Sequence, residues 1–175
     1  MKLMLLISLI IFNAQAFSED LVFKLKGRPL EIVSLIKIKS GKLKFKSGDI
    51  NATTVKLFNV FRGYERTYDG YAFYELLNLV YGKAWQQKEK LICTSSDSYH
   101  HIAVITPMIK SAKNNMGYIA FGEKGITGFT PIIKSGKKID PGPLYLVWTN
   151  FTAKDRASHG DIIKWPYQLS EIDIE

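Results

Sequence analysis

One cysteine, three histidines and twenty-four lysines and arginines hold most of the chemistry that this 175-residue chain could perform. Cys93 stands in Lys90-Leu91-Ile92-Cys93-Thr94-Ser95-Ser96-Asp97-Ser98-Tyr99, where an apolar strand runs into a polar loop with the sulfur at the junction. A thiolate is a nucleophile and a soft metal ligand, and loops held by the ends of rigid strands are where sites tend to be built. With no second cysteine the thiol cannot close a disulfide within the chain. It is an inert core residue, an intermolecular partner or a ligand.

His100 and His101 follow shortly. Cysteine with histidine is the residue set of a thiol hydrolase, but this spacing matches no local signature and nothing identifiable orients a general base. Neighbours on a strand point to opposite faces, so the two histidines are not expected to bind one metal and read as surface or hydrogen-bonded side chains. His159, near Asp155, Arg156 and Asp161, reads as part of a solvated loop. There is no Gly-rich phosphate loop, no paired CxxC, no CxxCH and no HExxH. Asn51-Ala52-Thr53 and Asn150-Phe151-Thr152 match the glycosylation sequon, which matters only in a eukaryotic secretory pathway.

The first sixteen residues predict export. Lys2 gives a positive start, residues 3–12 are almost wholly apolar, and Ala14-Gln15-Ala16 fits the small-x-small rule for signal-peptidase cleavage. The apolar run is shorter than the ~20 residues of a membrane span, although an uncleaved anchor is the competing reading. Residues 17–175 then form one domain of ordinary size, periplasmic or secreted, with no transmembrane segment after cleavage. The formal net charge is +8. Such charge attracts anionic partners. In an exported protein these are envelope polymers, anionic lipids or an anionic cofactor rather than nucleic acid. The bland alternative is a solvated basic surface, carried by Lys37, Lys39, Lys42, Lys44 and Lys46 and by Lys134, Lys137 and Lys138.

The elements that would position these residues are mostly strands. Residues 20–26 and 42–46 alternate apolar and basic side chains, as half-buried strands do. Residues 31–39, 53–61, 89–93, 101–105, 117–122, 144–149 and 169–174 are further strands. Asp69-Gly70 reads as a boundary, and the period then changes: Phe73, Leu76, Leu77 and Val80 share one helical stripe over 71–81, closed by Gly82. Pro107 opens a second short helix over 108–115. A loop rich in glycine and lysine is expected over 123–142. Many short strands with one or two short helices make an α+β, mostly β domain.

Three segments together resemble one family. Tyr68-Asp69-Gly70-Tyr71-Ala72-Phe73-Tyr74-Glu75-Leu76-Leu77 is similar to its Y-x-G entry into a helix. Cys93 followed by Asp97-Ser98-Tyr99 is similar to its Cys-x-Asp-Gly-Tyr strand end. The third segment runs from Gly136-Lys137-Lys138-Ile139-Asp140-Pro141-Gly142-Pro143-Leu144-Tyr145-Leu146-Val147-Trp148 to Trp165-Pro166-Tyr167-Gln168-Leu169. The chain thus resembles small exported members of the oxidoreductase molybdopterin-binding, sulfite-oxidase-like domain family, over residues 17–174.

That resemblance implies the sulfite-oxidase-like fold and a molybdenum cofactor held by an anionic pterin, with Cys93 as the thiolate ligand. It also implies Asp97, Tyr99, His100, His101, Lys137 and Lys138 as cofactor contacts, and a redox partner protein in the cell envelope. A soft thiolate suits such a metal, and basic side chains suit a pterin phosphate. The sequence departs from the pattern at two extra residues between Cys93 and Asp97, and at Ser98 where the pattern has glycine. Serine is strained wherever a positive φ is needed. Two functions compete. One is an oxidoreductase transferring oxygen atoms or electrons, which needs Cys93 open to a pocket. The other is a cofactor-free binding or accessory module, which needs Cys93 buried. A weaker third is an envelope-binding protein that uses its lysine-rich strands.

Overall fold

The computed structural model describes residues 20–111, 115–152 and 164–175. The expected signal segment, His159 with its charged neighbours, and part of the second expected helix lie outside them. The described residues form an α+β domain built mainly of strands, with three short helices where one or two were expected.

Two sheets carry the fold. The larger holds β1 (Asp20–Leu25), β2 (Arg28–Ser34), β7 (Lys90–Ser95), β8 (His100–Val104) and β13 (Leu169–Ile174), in the order β2-β1-β13-β7-β8. Its one parallel pair is β1 with β13, which joins strands from opposite ends of the domain. The second sheet runs β12 (Tyr145–Trp148), β9 (Gly117–Glu123), β6 (Tyr64–Ala72) and β5 (Thr53–Asn59). Two hairpins stand apart: β3 (Lys42–Phe45) with β4 (Gly48–Asn51), and β10 (Ile132–Lys134) with β11 (Lys137–Ile139).

The helix α2 (Phe73–Tyr81) links both sheets. Its stripe buries Phe73, Leu76 and Leu77 completely. At one end the Phe73 ring meets Trp148 of β12 edge-on, 6.0 Å between centroids; at the other, Tyr81 meets Phe23 of β1 at 6.1 Å and donates a hydrogen bond to the Ile172 carbonyl of β13. Gly82, at φ 66°, ends the helix in the left-handed region that glycine occupies without strain.

Three expectations are corrected. Residues 31–39 are not one strand: β2 stops at Ser34, and α1 (Leu35–Lys39) follows. Isoleucines favour strands, but the Ser34 hydroxyl caps the Lys37 amide, and Leu35 and Ile38 bury at helical spacing. The second helix, α3 (Ile105–Ser111), starts before Pro107 rather than after it, so that proline sits in the first turn, where no amide donor is needed. Asp69-Gly70 is no boundary. It lies inside β6, the longest strand, where the register with β9 shifts. A Cβ on Gly70 would lie 2.5 Å from the Ile119 carbonyl oxygen, so the close approach of β9 requires glycine there.

Candidate functional site

Cys93 belongs to the interior of β7, not to the junction of strand and loop. The strand continues to Ser95, and Cys93 pairs with Ile172 of β13 on one side and His101 of β8 on the other. Its exposure is 1%, and Phe23, Ile172 and Leu91 share its hydrophobic core. Burial disfavours the charged thiolate and pushes the thiol up from 9.0 to about 12. At neutral pH the sulfur is protonated and sealed.

The loop that follows is a tight connection between β7 and β8. The Ser95 amide donates to the Tyr99 carbonyl at 2.9 Å, and the Ser98 amide donates to the Ser95 carbonyl at 2.8 Å. Asp97 Oδ1 accepts from the Tyr99 amide at 3.1 Å, so this carboxylate supports the turn. Ser98 adopts φ 66°, the conformation for which glycine is the unstrained residue. Tyr99 is exposed and lies edge-on to the His101 ring, 4.8 Å between centroids.

The two histidines diverge as strand geometry requires. His101 stands opposite Cys93 in the ladder, and burial alone accounts for the state of the thiol. His100 faces the other way, with Nδ1 3.0 Å from the Thr94 hydroxyl. Lys137 and Lys138 are exposed on β11, in a ladder that pairs with no strand of the Cys93 sheet. The expected loop over 123–142 contains this hairpin because Ser135 and Gly136 both take positive φ, as a two-residue hairpin turn needs.

The expected cofactor residues therefore fall into separate places: a sealed thiol, a turn, two faces of β8 and a detached hairpin. A pterin-held metal needs a thiolate at a cavity wall with cationic groups converging on the phosphate. These residues do not fit such a group. Among the described residues, no cluster of three or more histidine, cysteine or acidic side chains is arranged to hold a metal ion.

The charged chemistry lies elsewhere. Glu123, at the end of β9, is 4% exposed. Its carboxylate accepts from the Thr130 amide at 2.8 Å and the Thr130 hydroxyl at 2.9 Å. Arg66 Nε lies 2.5 Å from Oε1, and Arg62 Nη1 lies 3.9 Å from Oε2. Arg62 Nη1 also donates to the Thr130 carbonyl at 2.5 Å, and its guanidinium lies over the Tyr145 ring at 5.7 Å. Its Nε and Nη2 are buried with no hydrogen-bond partner. Beside it, Asn59 Nδ2 donates to the hydroxyls of Tyr68 and Tyr145 at 3.2 and 3.3 Å. Burial raises both phenols, that of Tyr145 to about 12.

Of these residues only Tyr68 and Tyr145 were noted in the sequence, within the segments that carry the resemblance, and none as part of a charged network. Arg62 and Arg66 in Phe61-Arg62-Gly63-Tyr64-Glu65-Arg66, an aromatic-rich stretch, were a signal, but their carboxylate is remote in the chain. The network holds the β5–β6 turn to the segment after β9. No protein-family model matches this chain, and no curated protein sequence is similar to it.

Proposed function

We propose that this chain is a cofactor-free binding or accessory module of the cell envelope, on a scaffold resembling the molybdopterin-binding oxidoreductase-like domains. The observation that carries this reading is the state of Cys93: an interior strand position, 1% exposure and a thiol held protonated by burial. An oxygen-atom transfer enzyme of the sulfite-oxidase type depends on a thiolate that faces its metal. Free cysteine in proteins is most often a small apolar core residue, and the packing here supports that role.

The test is the molybdenum content and pterin fluorescence of protein purified from a cofactor-competent exporting host. The expected result is neither metal nor pterin in folded protein. Stoichiometric metal and pterin, lost in Cys93→Ser with the fold intact, would overturn the proposal. Thiol labelling gives an independent reading. Iodoacetamide is expected to modify Cys93 only after unfolding, at a rate that follows global opening.

A further inference from the structure

The net charge of the chain is not spread over it. Between Lys24 and Lys46 stand eight basic residues (Lys24, Lys26, Arg28, Lys37, Lys39, Lys42, Lys44 and Lys46) and one acidic residue, Glu31. Of the 24 basic and 16 acidic residues in the chain, that leaves sixteen and fifteen everywhere else. A segment with net charge +7 thus accounts for nearly all of the chain's +8.

The fold gathers this segment at one edge of the larger sheet. β2 is the edge strand, paired only with β1, and β3 pairs only with β4. Between them, beside α1, lies a cleft of ≈ 360 Å³ lined by Glu31, Ile32, Val33, Lys37, Lys42, Leu43, Lys44 and Phe45. Lys24 is tied to Glu171 at 2.6 Å and Lys42 to Asp49 at 3.1 Å. Lys26, Arg28, Lys37, Lys39, Lys44 and Lys46 are exposed, and none has an ion pair among the described residues.

Lysines alone would be accounted for as guards of an open sheet edge. The aliphatic side chains among them are not. Ile36 of α1 is 81% exposed, Ile32 of β2 is 55% exposed, and Leu30, which the β1–β2 register skips, is 49% exposed. Exposed aliphatics ringed by cations match one surface chemistry in particular: acyl chains beneath a layer of phosphates. Shallow insertion of a few apolar side chains and attraction of lysines to anionic headgroups reinforce each other there. A soluble polyanion would use the lysines and leave the isoleucines idle.

We propose that the β2–α1–β3 edge docks on an anionic phospholipid surface, with Ile36, Ile32 and Leu30 entering the headgroup layer and Lys37, Lys39 and Lys44 contacting phosphates. This names a partner for the binding module proposed above and rests on that reading. The metal assay and the lipid assay fail separately, so loss of one reading is distinguishable from loss of the other.

The test is cosedimentation of the full chain with phosphatidylglycerol–phosphatidylcholine vesicles and with phosphatidylcholine vesicles, at low and high salt. Binding is expected to the anionic vesicles only, and to fall as salt screens the contact. Lys37→Glu/Lys39→Glu/Lys44→Glu is expected to lose about tenfold or more in vesicle affinity, and Ile36→Asp to lose severalfold with an unchanged melting temperature. Lys124→Glu/Lys137→Glu/Lys138→Glu, with the same change in net charge, is expected to lose much less. All variants keep the apolar residues 3–12, so any membrane affinity of that segment is common to them. Four results would overturn the proposal: no binding to anionic vesicles, equal binding to neutral ones, equal loss in the two charge-reversal variants, or indifference to Ile36→Asp. Binding to heparin without binding to vesicles would replace the lipid with a soluble polyanion.

Discussion

Two buried regions of this molecule hold reactive side chains in opposite ways. Around Cys93 burial is apolar: the thiol has lost its charge and packs within the hydrophobic core. Around Glu123 burial is polar: a carboxylate, two guanidiniums and a threonine hold one another across separate segments. In the first, desolvation is met by neutralisation; in the second, by pairing. These are the two general answers to a titratable group in a low-dielectric interior. The residue type that most suggests catalysis occupies the inert environment, and residues whose partners lie remote in the sequence form the organised one.

Removing one partner should hurt the two regions unequally. Glu123→Ala leaves Arg66 and the buried Arg62 without their carboxylate. The expected loss is about 3–5 kcal/mol, read as a lower midpoint in urea unfolding. If the loss is under 1 kcal/mol, the network is solvated and the contrast dissolves. Cys93→Ser puts a hydroxyl into the hydrophobic core. The expected cost is about 1–3 kcal/mol, with Cys93→Ala milder because it buries nothing polar. Serine tolerated better than alanine would mean that water or a polar group reaches the site.

Alkali sharpens the comparison further. An unfolded chain loses the Cys93 proton near 9, whereas the folded protein keeps it to about 12. Between these values the native state binds more protons, so stability is full below pH 9 and falls as pH rises through the window. Buried Tyr145, raised to about 12, adds to the same trend. Melting temperatures from pH 8 to 11 should drop more steeply for the wild type than for Cys93→Ala. Parallel curves would mean that the thiol titrates normally. The smallest expected effect is at the loop between β7 and β8. Ser98→Gly relieves the positive φ and should gain about 0.5 kcal/mol, partly offset by the freedom glycine adds to the unfolded chain.

The contrast also shows what the sequence could and could not express. Strands with alternating side chains, such as β1 and β3, and the single stripe of α2 were legible because one face of each is buried and the pattern records it. β6 was not, because its Glu65, Arg66 and Asp69-Gly70 carry the composition of a turn while their partners lie in β9 and beyond. α1 was hidden by isoleucines that favour strands. Its cap and its two buried positions decided otherwise. Cys93 looked like a site because three hydroxyl-bearing residues follow it, yet Thr94 and Ser95 extend β7 and the chain turns only at Ser96. The cleft beside α1 depends on where two unpaired strand edges come to rest, which no local pattern encodes.

The parallel pairing of β1 with β13 has a consequence for the order of events in folding. β13 lies between β1 and β7, so the middle of the larger sheet is the part made last. A ribosome that has released everything before Leu169 has produced two half-sheets, β2-β1 and β7-β8, with no strand to join them. Contacts this distant in sequence form slowly. The larger sheet therefore stays in two halves until β13 pairs between them.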